Sequence, residues 1–129
     1  MRRPDWMVRL SALVLIWRVT PFQWGVHDCC TMAADVVEAC TGVDVMGQLR
    51  GTYSTALGAA RTIEGMGGIE QVLADRLGAL VPVVMAQTGD IGLCDDGRLV
   101  WFGGAMWHGP GESGLVVTGA PLRCWRCHV

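Results

Sequence analysis

The stretch Phe22-Gln23-Trp24-Gly25-Val26-His27-Asp28-Cys29-Cys30 decides how the rest of the chain is read. Asp28 is a good helix N-cap, because its carboxylate can accept from the otherwise unpaired amides one turn in. Ala33, Val37 and Cys40 then form an apolar stripe, Met32 and Val36 widen it, and Gly42 stops it, which predicts a helix over 28–40. Cys29 therefore stands on a first helical turn. There the free amides and the positive end of the dipole favour a thiolate, the nucleophilic form of the side chain. The same amides suit the oxyanion of a tetrahedral intermediate. Trp24-Gly25 would wall a cleft and let backbone approach closely. On the residues alone, two cysteines packed into a helix start is the plainer reading, since free Cys is among the most buried residue types.

Upstream, Trp6, Leu10, Leu13 and Trp17 lie on one face of a 3.6-residue period, which predicts a helix over 4–18 with Pro4 and Asp5 in its first turn and Thr20-Pro21 at its end. Downstream, Arg50–Ser54 reads as a loop with Ser54 as N-cap to a helix over 55–65. A Gly-rich run follows, then a fourth helix carrying Ile69, Val72, Leu73 and Leu77, closed by Gly78. Beyond Gly78 short apolar runs alternate with Gly, Pro and Asp. Strands are predicted near 80–85, 90–94, 98–103, 105–108, 114–118 and 122–128, with a tight turn at Asp95-Asp96-Gly97 and further hairpin turns at Gly103-Gly104 and Gly109-Pro110-Gly111. Helices first and antiparallel strands after give an α+β fold, the N-terminal helices packed on a C-terminal sheet. A cut at 78/79 leaves two pieces too small to stand alone, so residues 1–129 read as one domain.

Composition narrows the partners. Of the 129 residues 51% are apolar and only 17% charged, against a usual share of about a quarter. A surface this poor in charge suits a protein covered in part by others. The net charge of −2 leaves no electrostatic footprint for nucleic acid, and all ten basic residues are Arg. Six Cys would suit a secreted disulfide scaffold, but Asp5 and Arg9 interrupt the start that follows Met1-Arg2-Arg3, and Leu10–Trp17 is too short to span a bilayer. Reduced thiols made in a cytoplasm, with no membrane span, are the expectation.

Cys124 and Cys127 form a CxxC that Cys94 could join. In a strand, residues three apart face opposite sides, and no second CxxC is present, so no metal or other cofactor is expected. Trp6 and Trp17 fall on the first helical stripe, Trp24 lies beside Cys29, and Trp101 and Trp107 flank the segment around His108. Aromatic packing in the core is expected of them more than a sugar-binding wall.

Trp24-Gly25, Asp28-Cys29 and the Ala/Val-rich helix after them resemble the nucleophile helix of NlpC-type, papain-like cysteine peptidases. Gly89-Asp90-Ile91, Leu99-Val100-Trp101-Phe102-Gly103 and Trp107-His108 resemble the three strand segments that follow in that superfamily. A closer resemblance covers nearly the whole chain. It is to a branch encoded in tail gene clusters of phages, prophages and gene-transfer elements, and it runs through Asp5-Trp6, Pro21-Phe22, Trp24-Gly25, His27-Asp28-Cys29, Gly42-Val43-Asp44, Arg50-Gly51, Tyr53, Gly89-Asp90 and Trp125. It implies a papain-like NlpC-type fold, Cys29 as nucleophile, and Asp28, Trp24 and Gly25 at the oxyanion site or cleft. It also implies a particle tail as location after synthesis in the host bacterial cytoplasm, and tail-tip or baseplate proteins and peptidoglycan as partners.

One departure matters. In the superfamily a His heads the strand that here begins near Gly97-Arg98-Leu99, and this chain has none there. His108 matches the third, orienting position and would serve as base only in a rearranged site. His27 is expected outside the helix N-terminus, and His128 at the surface. Two functions follow: a tail protein with a degenerate site and a structural or assembly role, or an active peptidase or amidase cleaving peptidoglycan peptides during genome delivery.

Overall fold

The computed structural model describes residues 2–128. Four helices come first: α1 (Trp6–Trp17), α2 (Cys29–Thr41), α3 (Ala56–Gly65) and α4 (Ile69–Arg76). Six short strands follow: β1 (Leu80–Val81), β2 (Ile91–Leu93), β3 (Leu99–Phe102), β4 (Trp107–Pro110), β5 (Leu115–Thr118) and β6 (Arg123–Trp125). They form one sheet in the order β1-β6-β2-β3-β4-β5, every neighbouring pair antiparallel. The α+β expectation holds. Among the described residues no helix is long and apolar enough to cross a membrane.

The sheet is two-faced because its side chains alternate. Ile91, Leu99, Trp101 and Trp125 face the helices and join Met32, Val36, Val37 and Trp17 in the main core. Val100, Trp107 and Cys124 form a smaller cluster of their own. α2 is the central helix, packed against α1 on one side and β3 and β4 on the other. Gly42 ends it in the left-handed region at φ +86°, its N–H on Glu38 O at 2.8 Å.

Several boundaries differ from expectation, each for a local reason. The strand expected over 80–85 stops at Val81, because Pro82 has no N–H to continue a ladder, and a 3-10 turn over Val83–Met85 follows. Thr55, not Ser54, caps α3, accepting from Gly58 N–H at 3.0 Å. Gly109-Pro110-Gly111 is not a hairpin turn: β4 runs through Pro110, and the turn is closed by Gly111 N–H on Gly114 O at 2.8 Å. Pro110 is tolerated because the pairing of β4 with β3 has already ended at His108. Asp95-Asp96-Gly97 is a tight turn as expected, with Gly97 at φ +87°.

Asp90, fully buried, fastens the two ends of the fold together. Its carboxylate accepts from the amides of Gln87 at 2.8 Å and Cys127 at 2.9 Å, and pairs with Arg126 at 3.0 Å. Arg2 lies 3.9 Å away on the other oxygen and also covers the Trp6 ring, 4.4 Å from its centroid.

Candidate functional site

The site is built on Asp28. Its Oδ1 accepts from Thr31 N–H at 2.8 Å, and Thr31 Oγ1 accepts in return from Asp28 N–H at 2.7 Å, a reciprocal cap that fixes where α2 begins. Its Oδ2 accepts from Gly25 N–H and from the Tyr53 hydroxyl, both at 2.8 Å. The carboxylate is thus buried but fully engaged. Burial, then the bond to Asp28, pushes the Tyr53 phenol above its ordinary range. Gly25 sits at φ +80°, and a Cβ there would lie 2.0 Å from the Tyr53 carbonyl oxygen, so only glycine lets the two loops meet. Arg50 clamps the second loop. Its guanidinium reaches Asp44 at 3.0 and 3.2 Å and Asp35 on α2 at 2.7 Å.

This scaffold presents Cys29 to a cleft of about 180 Å³. Phe22 and Trp24 wall one side, their rings edge to face at 4.8 Å, and Leu99, Arg98 and Pro110 line the other. The groups that favour charge on the Cys29 sulfur are the Cys30 thiol first, then the Leu99 amide and its own amide. These groups bring its pKa below the ordinary thiol value, against burial and the nearby Asp28 charge. Cys30 moves the opposite way, raised by the neighbouring Cys29 thiol and by burial.

Cys29, Asp28, Trp24 and Gly25 are therefore gathered at one place. His108 is set apart from them. It pairs with Trp101 in the β3–β4 ladder and stacks on that ring at 5.0 Å. Leu99 and Pro110 line the cleft with Cys29, and His108 is not among the cleft-lining side chains. Its Nδ1 is buried without a hydrogen-bond partner, and burial lowers its pKa. His27 lies just outside the N-terminus of α2, as expected. It is buried, 6.0 Å from the Trp17 ring, its backbone paired with Gln23, and its pKa is lowered by burial while Asp35 and Asp28 pull it up. His128 is exposed.

Trp107 packs with Phe102 in the smaller cluster. Cys124 joins that cluster with Cys94 beside it, whereas Cys127 belongs to the main core. Among the described residues no group of three or more His, Cys, Asp or Glu is placed to hold a metal ion.

Sequence reasoning gives no role to Tyr53, Thr31 or the Leu99 amide. Thr31 is open to it, since a hydroxyl three residues after an N-cap is the signature of a reciprocal cap. The other two depend on long-range folding. No curated protein and no solved structure matches the chain. Residues 1–127 match the family described as "Domain of unknown function (DUF6950)", and with nearly its whole length covered the chain belongs to that family.

Proposed function

We propose that this chain is a structural or assembly component of a phage or phage-like particle tail, at the tip or baseplate, built on an NlpC-type papain-like fold whose hydrolytic site is degenerate. One observation carries the reading. Cys29 shares its cleft with Leu99 at the head of β3, where a hydrolase of this type presents an imidazole. With Leu99 and Pro110 in the cleft lining and no histidine there, neither a base nor its orienting partner stands beside the thiol, and general-base help worth about 10²–10⁴-fold is lost. Exposed Val8, Leu15 and Val19 on and just after α1, with the low charge of the chain, suit a protein held against neighbouring tail proteins.

The test is Cys29→Ala in the particle, together with the purified chain on peptidoglycan. Particles assemble and infect as before, and no peptide is released. Loss of infectivity in intact particles, or release that disappears with the Cys29→Ala chain, overturns the reading.

The second reading is an active cysteine peptidase or amidase acting on peptidoglycan peptides, with Cys29 as nucleophile and the leading turn of α2 as oxyanion site. The lowered Cys29 thiol and the Phe22–Trp24 wall favour it. It requires His108 to leave its stack on Trp101, and the same experiment separates it from the first.

A further inference from the structure

Between Trp6 and Trp17 the helix α1 has only Arg9 and Ser11 as polar residues. A helix apolar nearly all round belongs in an interior, yet Met7 and Leu15 are 64% and 62% exposed. One side of this helix borders a groove. Met7, Ser11, Val14 and Arg18, at i, i+4, i+7 and i+11, run along it as one wall. The buried Leu10 and Trp101 form the floor, and Thr88 and Gly103 stand opposite. A second hollow shares Trp6 and Thr88 with the first and continues past Phe102 to Arg2. The two measure about 420 and 390 Å³.

The charges of this groove have one sign. Arg18 stands in the first part, exposed, and none of the ion pairs among the described residues uses it. Arg2 stands at the far end of the second. It shares the single carboxylate of Asp90 with Arg126, so that cluster keeps a net positive charge. Among the described residues no Asp or Glu lines either part.

Shape and charge select one kind of occupant. The twelve residues of α1 make a wall about 18 Å long. A concave apolar floor of that length receives side chains at helical spacing, the mode of a helix laid in a groove, whereas a flat bilayer surface does not enter it. Cations at both ends with no acid between them call for carboxylates on the incoming segment. A second copy's α1 does not supply them, because its one acid, the cap Asp5, is already paired with Arg9.

We propose that this groove is the docking site for an acidic amphipathic helix of another protein, its aliphatic side chains on Leu10 and Trp101 and its carboxylates toward Arg18 and Arg2. That the partner is a tail protein rests on the structural reading above. The groove does not, since it shares no lining residue with the Cys29 cleft.

The probe is a synthetic helix of about 14 residues, roughly four turns, with leucines on one face and glutamates beside them. Its counterpart carries lysines in place of the glutamates. Each is titrated into the nitrogen-15-labelled full chain, and amide shifts locate the contact. The glutamate peptide moves the amides of Met7, Ser11, Thr88 and Gly103 and binds about tenfold more tightly than the lysine peptide, an advantage that added salt erodes. Arg18→Glu weakens the glutamate peptide about fivefold, one exposed attraction having become a repulsion. Ser11→Phe fills the groove from an exposed helical position and blocks both peptides; if it fails to fold, Arg18→Glu carries the test alone. Equal affinity for the two peptides, shifts elsewhere on the chain, or no binding overturns the proposal. So does burial of the groove by self-association, or by vesicles of phosphatidylglycerol in preference to the peptide. Each of these results leaves the Cys29→Ala experiment, and the reading it tests, as they stand.

Discussion

The Tyr53 hydroxyl donates to Oδ2 of Asp28 at 2.8 Å, across 25 residues of sequence, and so ties the loop before α3 to the cap of α2. The bond completes the donor set of a carboxylate with no access to water. It makes the start of α2, and with it the place of Cys29, a product of two loops rather than of one.

Removing that donor is therefore costly. Tyr53→Phe leaves a buried carboxylate short of one hydrogen bond and is expected to lower stability by about 1–3 kcal/mol. Asp28→Ala is expected to cost more, since the cap goes, at about 1 kcal/mol, and the donors of Gly25, Thr31 and Tyr53 lose their acceptor. Urea unfolding monitored by circular dichroism ranks the two; equal stability of Tyr53→Phe and wild type would show the phenol to be a passive contact.

Gly25 and Gly51 give a matched comparison. Both have positive φ, +80° and +72°, but a Cβ at Gly25 meets the Tyr53 carbonyl whereas a Cβ at Gly51 meets nothing. Gly51→Ala should cost about 1 kcal/mol, the usual strain of a side chain in that region. Gly25→Ala must also push the two touching backbones away from each other, and soluble yield and helical signal should collapse. Similar behaviour of the two variants would mean that the loops are not in contact.

Leu99→His places an imidazole in the cleft that Leu99 and Cys29 line together. The expected result is a lower pH midpoint for Cys29 alkylation than in wild type, because a cationic neighbour favours the thiolate. The cost is about 2–5 kcal/mol for removing a buried leucine side chain, so the measurement is made well below the melting temperature. An unmoved midpoint would place residue 99 too far from Cys29 for the proposed correspondence.

Acid weakens the fold through its histidines. Burial holds both His27 and His108 below the ordinary imidazole pKa. Between the folded pKa and the unfolded value of about 6.5, the unfolded chain binds more protons, so stability rises with pH through that window. The penalty is absent above the unfolded value and grows as pH falls below it. His108→Phe, which keeps the stack on Trp101 and removes the orphaned Nδ1, should flatten the melting temperature between neutral and mildly acid buffer. A slope identical to wild type would mean that His108 titrates normally.

What is legible in the sequence is local. The Asp28 cap, the α2 stripe and the Gly42 stop each depend on residues within one or two turns, and each is where the pattern puts it. The α+β order is legible for the same reason, since the change from helical to strand spacing at Gly78 is itself a sequence feature. The site is only half legible. Its cysteine belongs to a helix end, but its neighbours across the cleft are set by the β3–β4 register. Which residue of β4 pairs with Trp101 depends on where the turn after Gly103 closes, and that is fixed by the Gly103 N–H bond to Met106 O at 2.8 Å, not by any periodicity. The burial of His27 is hidden from the sequence in the same way, because it depends on Trp17 of α1 arriving beside it. Pro82 is legible in principle, since a proline inside an expected strand argues against continuing it.

Asp90 gives the domain an unusual mutual dependence. Because one carboxylate receives Arg2 from the first segment and Arg126 and Cys127 from the last, trimming either segment strips partners from the anchor of the other. A shortened or tagged version that disturbs one terminus should therefore be judged by the order of the opposite one.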